Sequence, residues 1–310
     1  MDGHDVLTNK CMDMKKAFLS EEVEIKPYCY RAYDQGPYNS SKDGFEDYLG
    51  RPYLSRSDEE LYLPFFDNKA PRSGRAPAWQ ILTVYSYEPD FGMDEGLSLS
   101  PLQKFMGGSG TWRHEEFHII LRFGEVTDRF LHFDRMSMLA NEKGDRYWAL
   151  RFAARALHYL EDCGTPYHAS PGTPIEIFKI PFLYRKQFKK IGFYHKFHDR
   201  YLGYRLWRGY EPFLEEIEGT EAGVFDRLEK MAKTIRRRAF DLLPEVELSV
   251  KRLIGGNSFE NPSPELSKEY YDKLVSSQDT RRLDEVSCKI LRNLSSGVKF
   301  YLNHLERRLN

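Results

Sequence analysis

A short segment in the middle of the chain carries two histidines and an aspartate at a spacing suited to metal binding. His158 and Asp162 are four residues apart in a stretch rich in alanine, leucine and arginine, which predicts a helix. Residues four apart share one face of a helix, so the imidazole and the carboxylate point the same way. Gly164 and Pro166 predict the end of this helix, and His168 follows the turn, where it can fold back beside the pair. Imidazole and carboxylate ligands favour zinc and similar divalent ions.

A second pair further along the chain repeats this pattern. His195 and Asp199 are also four residues apart, within a stretch that predicts another helix. The two sets together contain five side chains of ligand type. The sequence therefore predicts a centre that holds more than one metal ion.

Composition limits the classes of protein to which the chain can belong. It has 310 residues, 41% of them hydrophobic, which is enough to bury a substantial core. The formal net charge of -1 does not indicate a global attraction to nucleic acid or to a membrane. The four cysteines are far apart and form no Cys-x-x-Cys pair, so they predict neither a disulfide framework nor a cysteine-type zinc site.

The first residues of the chain lack the features of a targeting segment. Met1 to Asp5 contain no basic region followed by an apolar run, and no apolar run in the chain approaches a membrane span. We therefore expect a cytoplasmic protein without a transmembrane segment. A secreted protein with a processed N-terminus would give the same pattern.

The pattern of apolar and polar residues predicts an all-α fold with a single multi-helical domain over residues 1–310. Residues 4–20 have the pattern of an amphipathic helix, and 79–87 favour a helix over a strand. Residues 27–78, rich in tyrosine, proline, glycine, serine and aspartate, predict an irregular insertion with short helices. Further helices are predicted over 112–123, 125–141, 145–162, 183–209, 210–217, 221–254 and 263–308, the last with a possible break near 276–280.

The central motif resembles the zinc-dependent phospholipase C and S1/P1 nuclease superfamily. The family pattern is His-Tyr-Leu-x-Asp followed by Gln-Pro-Met-His-Ala, and here His158-Tyr-Leu-Glu-Asp162 is followed by Thr165-Pro-Tyr-His168-Ala. The segment Leu131-His-Phe-Asp134 is similar to the family segment that supplies a further zinc histidine. The likeness is strong over about residues 130–200 and thin elsewhere.

The resemblance extends to both ends of the predicted site and implies a ligand set. Gly3-His4 before a helix is similar to the N-terminal pair of the family, and His195 with Asp199 resembles the downstream pair. The family implies two or three Zn²⁺ ions, with Asp162 bridging two of them. One ion would be held by His132, His158 and Asp162, another by His168, His195 and Asp199, and a third by His4 and Asp162.

Two features of the family are absent or displaced in this sequence. The family binds one zinc through a processed N-terminal tryptophan, whereas this chain begins with Met1. The family also carries an aspartate upstream that is a possible general base. We expect Asp90 or Asp94 in that role, because Gly92 and the flanking turns suit a loop over a site; Glu115 and Glu116 are alternatives. His114, after a glycine-rich turn, is expected to lie beside the metal ligands or to cap a helix.

The resemblance implies a zinc-dependent phosphodiester hydrolase, nearest to phospholipase C in its local motif, which uses a metal-activated water. An S1/P1-type nuclease or 3′-nucleotidase is the first alternative. Asp199 and the long gap from His168 to His195 favour the nuclease, whereas His168-Ala169 favours the phospholipase. A non-catalytic helical protein with a structural metal site is the second alternative, although structural zinc sites are usually closed and rich in cysteine. The expected partner is a phosphodiester substrate, phospholipid or nucleotide, and no protein partner is evident.

Overall fold

The computed structural model describes residues 1–26, 74–92, 94, 96–100, 113–118, 122–173, 180–255 and 265–309. The chain is mainly helical in these ranges, as predicted. Most of the insertion predicted around 27–78 lies outside the described residues. No helix of the described part combines the length and apolar character needed to cross a membrane.

Ten α-helices and two short antiparallel strand pairs make up the described regular structure, with 3₁₀ turns at Ala17–Ser20 and Glu88–Phe91. The strands are β1 (Glu22–Glu24) with β2 (Arg75–Pro77), and β3 (Glu116–His118) with β4 (Arg122–Gly124). The helices are α1 (His4–Lys10), α2 (Ala78–Tyr85), α3 (Val126–Glu142), α4 (Arg146–Cys163), α5 (Pro166–Ala169), α6 (Ile180–Trp207), α7 (Glu211–Gly219), α8 (Leu228–Ile254), α9 (Lys268–Ser277) and α10 (Arg281–Leu309).

The structure corrects the predicted helix over 112–123, which contains the strand pair β3 and β4. Phe117 and Phe123 face each other across the pair with stacked rings, and cross-strand aromatic contacts of this kind stabilise a hairpin. Gly124 ends β4 at φ 89°, a left-handed conformation that favours glycine. A Cβ at Gly124 would also lie 1.8 Å from the carbonyl oxygen of Glu115, so only glycine fits.

Three other predicted helices have different boundaries in the structure. The helix predicted over 4–20 ends at Lys10 and gives way to the 3₁₀ turn, and the helix predicted over 221–254 begins at Leu228. The segment 263–308 is split into α9 and α10 near the predicted break.

Helix α4 lies at the centre of the fold. All of its residues from Tyr147 to Cys163 are buried. It packs against α2, α3, α8 and α10, so it is covered on several sides. A helix in such a position must satisfy every polar side chain it carries within the protein, because water does not reach them.

Two arginines on α4 share one buried glutamate as their ionic partner. The carboxylate of Glu88 accepts hydrogen bonds from Arg151 Nε at 3.0 Å and Arg155 Nε at 2.8 Å, and all three side chains are fully buried. Burial by itself would raise the pKa of Glu88, but the two guanidiniums lower it below its usual value. These bonds hold the 3₁₀ turn Glu88–Phe91, which contains Asp90, against α4.

We expect Glu88→Gln to lower the free energy of unfolding by about 3–5 kcal/mol, because it leaves two buried guanidiniums without their anion. Urea unfolding followed by circular dichroism measures this. Glu229→Gln is the matched control, since Glu229 forms only an exposed i,i+4 pair with Lys233 and its loss should not shift the midpoint. Equal midpoints for wild type and Glu88→Gln would contradict the role of this network.

Candidate metal centre

Three groups of potential metal ligands lie at one end of α4. Within each group the ligand atoms are all within 4.8 Å of one another. His158 belongs to two of the groups, and Asp162 lies 3.1 Å from His168 of the remaining one, so the three groups form one cluster. They are His4, His158 and Asp162; Asp90, His114 and His158; and His168, His195 and Asp199.

The candidate ligands come from several parts of the fold, and two of the helices each supply a pair of them. His158 and Asp162 lie one turn apart on α4, and the same spacing places His195 and Asp199 together on α6. Gly164 ends α4 and Pro166 begins α5, which returns the chain toward α4. The remaining ligands stand at the start of α1, in the Glu88–Phe91 turn, before β3 and in α5: His4, Asp90, His114 and His168.

Asp162 lies between the ligand groups and is fully buried. Its Oδ2 is 2.7 Å from His114 Nδ1 and 3.1 Å from His158 Nε2, whereas its Oδ1 is 3.6 Å from His4 Nε2. Burial would raise the pKa of this carboxyl, but the surrounding histidines, with His168 first, and the amine of Met1 hold it well below its usual value. Oδ1 also lies 3.1 Å from His168 Nδ1, so both oxygens of Asp162 lie among the candidate ligands.

The group on α5 and α6 is arranged around one carboxylate oxygen. Asp199 Oδ2 is 3.1 Å from His168 Nε2 and 3.0 Å from His195 Nε2. Asp199 Oδ1 is buried and has no hydrogen-bond partner among the described residues. Two imidazole nitrogens and a carboxylate with an unused buried oxygen match the ligand types of a divalent cation.

The outer ring nitrogens of three histidines are held by hydrogen bonds. His158 Nδ1 lies 2.8 Å from the Ser86 carbonyl oxygen, and His168 Nδ1 lies 2.9 Å from the His114 carbonyl oxygen. His4 Nδ1 lies 2.6 Å from Glu161 Oε2. An N–H donated at Nδ1 leaves Nε2 as the nitrogen that faces the cluster, which is the usual arrangement behind a metal-binding histidine.

Electrostatics in the cluster favour a cation. Burial lowers the pKa of His114 to about 4 and that of His4 well below its usual value, so both imidazoles are neutral and present lone pairs. Burial also acts to lower the pKa of His158, but the carboxylates of Asp162 and Asp90 raise it, because they attract positive charge. A divalent cation satisfies those carboxylates more fully than one proton does.

A positive group of the protein already approaches this position. The α-amino nitrogen of Met1 lies 3.1 Å from Asp162 Oδ1, 3.3 Å from His168 Nε2 and 3.9 Å from Asp199 Oδ2. The amine therefore contributes positive charge at the point where two of the ligand groups meet. The Nε2 atom of His4 is also buried without a hydrogen-bond partner in the described structure.

His132 belongs to none of the three ligand groups in the structure. His114 lies in one of them, beside His158, where the sequence predicted His132. On α3, Phe133 faces α4 and stacks against Tyr159 with ring centroids 5.8 Å apart. His132 is the neighbouring residue, so its side chain is rotated by about 100° from that face. The sequence signal for His114 was its place after a glycine-rich turn, which did not distinguish a ligand from a capping residue.

Asp90 and Asp94, the two predicted catalytic residues of the loop, have different environments. Asp90 lies 3.7 Å from His158 Nε2 and 3.8 Å from His4 Nε2, within the cluster. Asp94 forms a buried ion pair with Arg129 and accepts a hydrogen bond from the hydroxyl of Tyr159. Arg129 and Tyr159 engage its carboxylate, and Asp94 belongs to none of the three ligand groups.

The two glutamates considered as alternatives to Asp90 and Asp94 also have different environments. Glu115 Oε1 lies 3.8 Å from His195 Nδ1, at the edge of the cluster. Glu116 pairs with Arg236 of α8 at 3.1 Å. Among the acidic residues weighed for the upstream position, Asp90 is therefore the one that joins a ligand group.

A scan against protein-family models found no match for this chain, and searches of curated proteins and of solved structures found none.

Because His114 rather than His132 belongs to a ligand group, substitutions at these two positions should have different effects on metal binding. We expect His114→Ala to lower the number of zinc ions bound per chain, because it removes a nitrogen of the Asp90–His114–His158 group. His132→Ala should leave zinc binding unchanged, since that side chain is outside all three groups. Metal analysis of both purified variants after equilibration with zinc measures this. Loss of zinc from His132→Ala, with none lost from His114→Ala, would restore the assignment made from the sequence.

Proposed function

We propose that this protein is a zinc-dependent phosphodiester hydrolase with up to three metal ions in one centre. The observation that carries the proposal is the convergence of three ligand groups around the buried carboxylate of Asp162. Two metals that share a bridging carboxylate can stabilise both the attacking and the leaving oxygen of an in-line displacement.

The donor set supports zinc. Each group combines imidazole nitrogens with carboxylate oxygens, which zinc accepts, whereas magnesium and calcium prefer oxygen ligands alone. None of the three free cysteines in the described ranges belongs to a group, which argues against a closed cysteine-type structural site. On this proposal, His4 and Asp162 hold one ion, Asp90, His114 and His158 with Asp162 hold another, and His168, His195 and Asp199 hold the third.

The side chains of the cluster differ in their access to solvent. His4, His158 and Asp162 have side-chain exposures of 0%, whereas Asp90 is 32% exposed and His195 is 21% exposed. A phosphodiester would therefore approach from the side of Asp90 and His195. The side chains of His4, His158 and Asp162 would be shielded from bulk water.

Zinc bound in this centre would supply Lewis acidity that makes water nucleophilic near neutral pH and offsets negative charge on the phosphoryl oxygens. The residues of the chain would position the reaction. Asp90 stands at the accessible edge, within 4 Å of two histidines, and is placed to accept a proton from an attacking water. Asp162 would hold the ions at a fixed separation from its buried position on α4.

We favour a small or lipid phosphodiester over a long nucleic acid as substrate. The net charge of -1 provides no long-range attraction to a polyanion, and His168 is followed by Ala169, as in the phospholipase pattern. An S1/P1-type nuclease would use the same metal ligands, so the substrate panel below separates the two.

The test combines metal analysis with hydrolysis assays on one zinc-loaded sample. We expect more than one zinc ion per chain, release of a phosphorylated head group from phosphatidylcholine micelles, and loss of that activity after chelation with recovery on zinc addition. Cleavage of single-stranded DNA or RNA without head-group release would move the assignment to the nuclease branch. Fewer than one zinc per chain, with none taken up on addition, would overturn the proposal.

The bridging position of Asp162 predicts unequal effects of two aspartate substitutions. Asp162→Asn should abolish hydrolysis, because an amide lacks the charge and the second anionic oxygen that a bridge requires. Asp199→Asn should retain a measurable fraction, since on this proposal Asp199 holds a single ion whereas Asp162 holds two. Steady-state rates at saturating zinc measure this. Equal residual rates in the two variants would remove the bridging role of Asp162.

A further inference from the structure

Glu161 stands out among the buried carboxylates because α1 engages both of its oxygens. Its Oε2 lies 2.6 Å from His4 Nδ1, and its Oε1 accepts a hydrogen bond from Thr8 Oγ1 at 2.6 Å. The side chain is fully buried on α4, next in sequence to Asp162. His4 and Thr8 are four residues apart, so they lie on the same face of α1.

A role in the core alone does not account for a carboxylate at this position. Among the described residues Glu161 has no lysine or arginine partner, and burial together with the charge of Asp162 raises its pKa well above the usual value. A buried anion without a cationic partner is costly, and an apolar side chain would fill the space at lower cost. The atoms that Glu161 does engage are the outer nitrogen of a proposed metal ligand and a hydroxyl one helical turn away.

Helix α1 needs such an anchor. It has seven residues, too few to be stable in isolation, and no side chain caps its N-terminus. Gly3 precedes it at φ 89°, so the chain turns sharply just before His4. The position of the His4 imidazole therefore depends on what α1 contacts in the folded protein.

We propose that Glu161 is a positioning residue that directs His4 Nε2 into the metal centre and locks α1 against α4. The inference rests on the proposed zinc function and adds to it a residue that does not touch metal or substrate. A carboxylate behind a ligating histidine fixes the ring orientation and makes the ring a stronger donor. His158 Nδ1 lies against a carbonyl oxygen, and His168 Nδ1 lies 2.9 Å from a carbonyl oxygen and 3.1 Å from Asp162 Oδ1, whereas His4 Nδ1 has its 2.6 Å contact with a carboxylate that belongs to no ligand group.

Glu161→Gln and Thr8→Val separate the two parts of this role. The glutamine replaces the carboxyl group that contacts His4 Nδ1, so zinc should bind the His4 group about 10- to 100-fold more weakly. The His168–His195–Asp199 group should be unaffected, because Glu161 does not contact it. Thr8→Val removes only the second contact to α1, so its effect on zinc affinity should be smaller than that of Glu161→Gln.

The readout is zinc affinity, measured by competition with chelators of graded strength, together with urea unfolding of the zinc-free protein. Asp284→Asn is the matched control. Its carboxylate is also buried and accepts hydrogen bonds from Tyr201 and Arg205, but it lies outside the ligand groups. It should lower stability without changing zinc affinity.

A double-mutant cycle with His4→Ala completes the test. We expect Glu161→Gln to weaken zinc binding in the wild-type background and to have no further effect once His4 is absent. If wild type binds zinc and hydrolyses phosphodiesters, but Glu161→Gln loses only stability, the positioning role is overturned and the proposed function stands. If wild type takes up no zinc, both are overturned.

Discussion

A carboxylate as deeply buried as that of Asp162 requires positive charge or strong hydrogen-bond donors within a few ångströms, because an isolated anion in the protein interior is destabilised by several kcal/mol. Much of the surrounding structure follows from that requirement. The Met1 amine lies 3.1 Å from Oδ1, and nitrogens of His114 and His158 lie 2.7 Å and 3.1 Å from Oδ2. Met1 and His114 belong to segments distant in sequence from α4, so the charge balance of one side chain and the tertiary fold are linked.

Helix α4 creates this situation because it is covered by other helices yet carries a row of polar residues. The two arginines near its middle are matched by Glu88, and that pairing fixes the turn in which Asp90 stands. Toward its C-terminal end the helix presents His158, Glu161 and Asp162. The arginine network and the ligand cluster are therefore parts of one arrangement, since the turn held by the first supplies a ligand to the second.

The candidate ligands that the sequence pattern alone brings together are those whose geometry is local. His158 with Asp162, and His195 with Asp199, are each brought together by a single turn of helix, and that spacing can be read without knowledge of the fold. The mainly helical class was predictable for the same reason, because the apolar pattern repeats at helical spacing. His4 was reached only through the family resemblance.

The structure departs from the sequence-based expectations where tertiary packing decides between neighbouring residues. His114 and His132 both precede α4, and the choice depends on which face of α3 packs against it, which Phe133 and Tyr159 determine. Asp90 and Asp94 lie in one loop, and the latter is taken by Arg129, a residue thirty-five positions away. The strand pair at 116–124 was read as helix because its cross-strand contacts are invisible to a periodicity search over one segment.

The placement of the ligands also determines how the centre can be perturbed. His158 and Asp162 belong to a helix that is buried along its length, so substitutions there alter the core as well as the cluster. His4 belongs to a short helix held by a few polar contacts, and Asp90 to a turn at the accessible edge. Changes behind His4 or at Asp90 can therefore alter one ligand group while the central helix stays in place, which makes them the sharper probes of what the cluster binds.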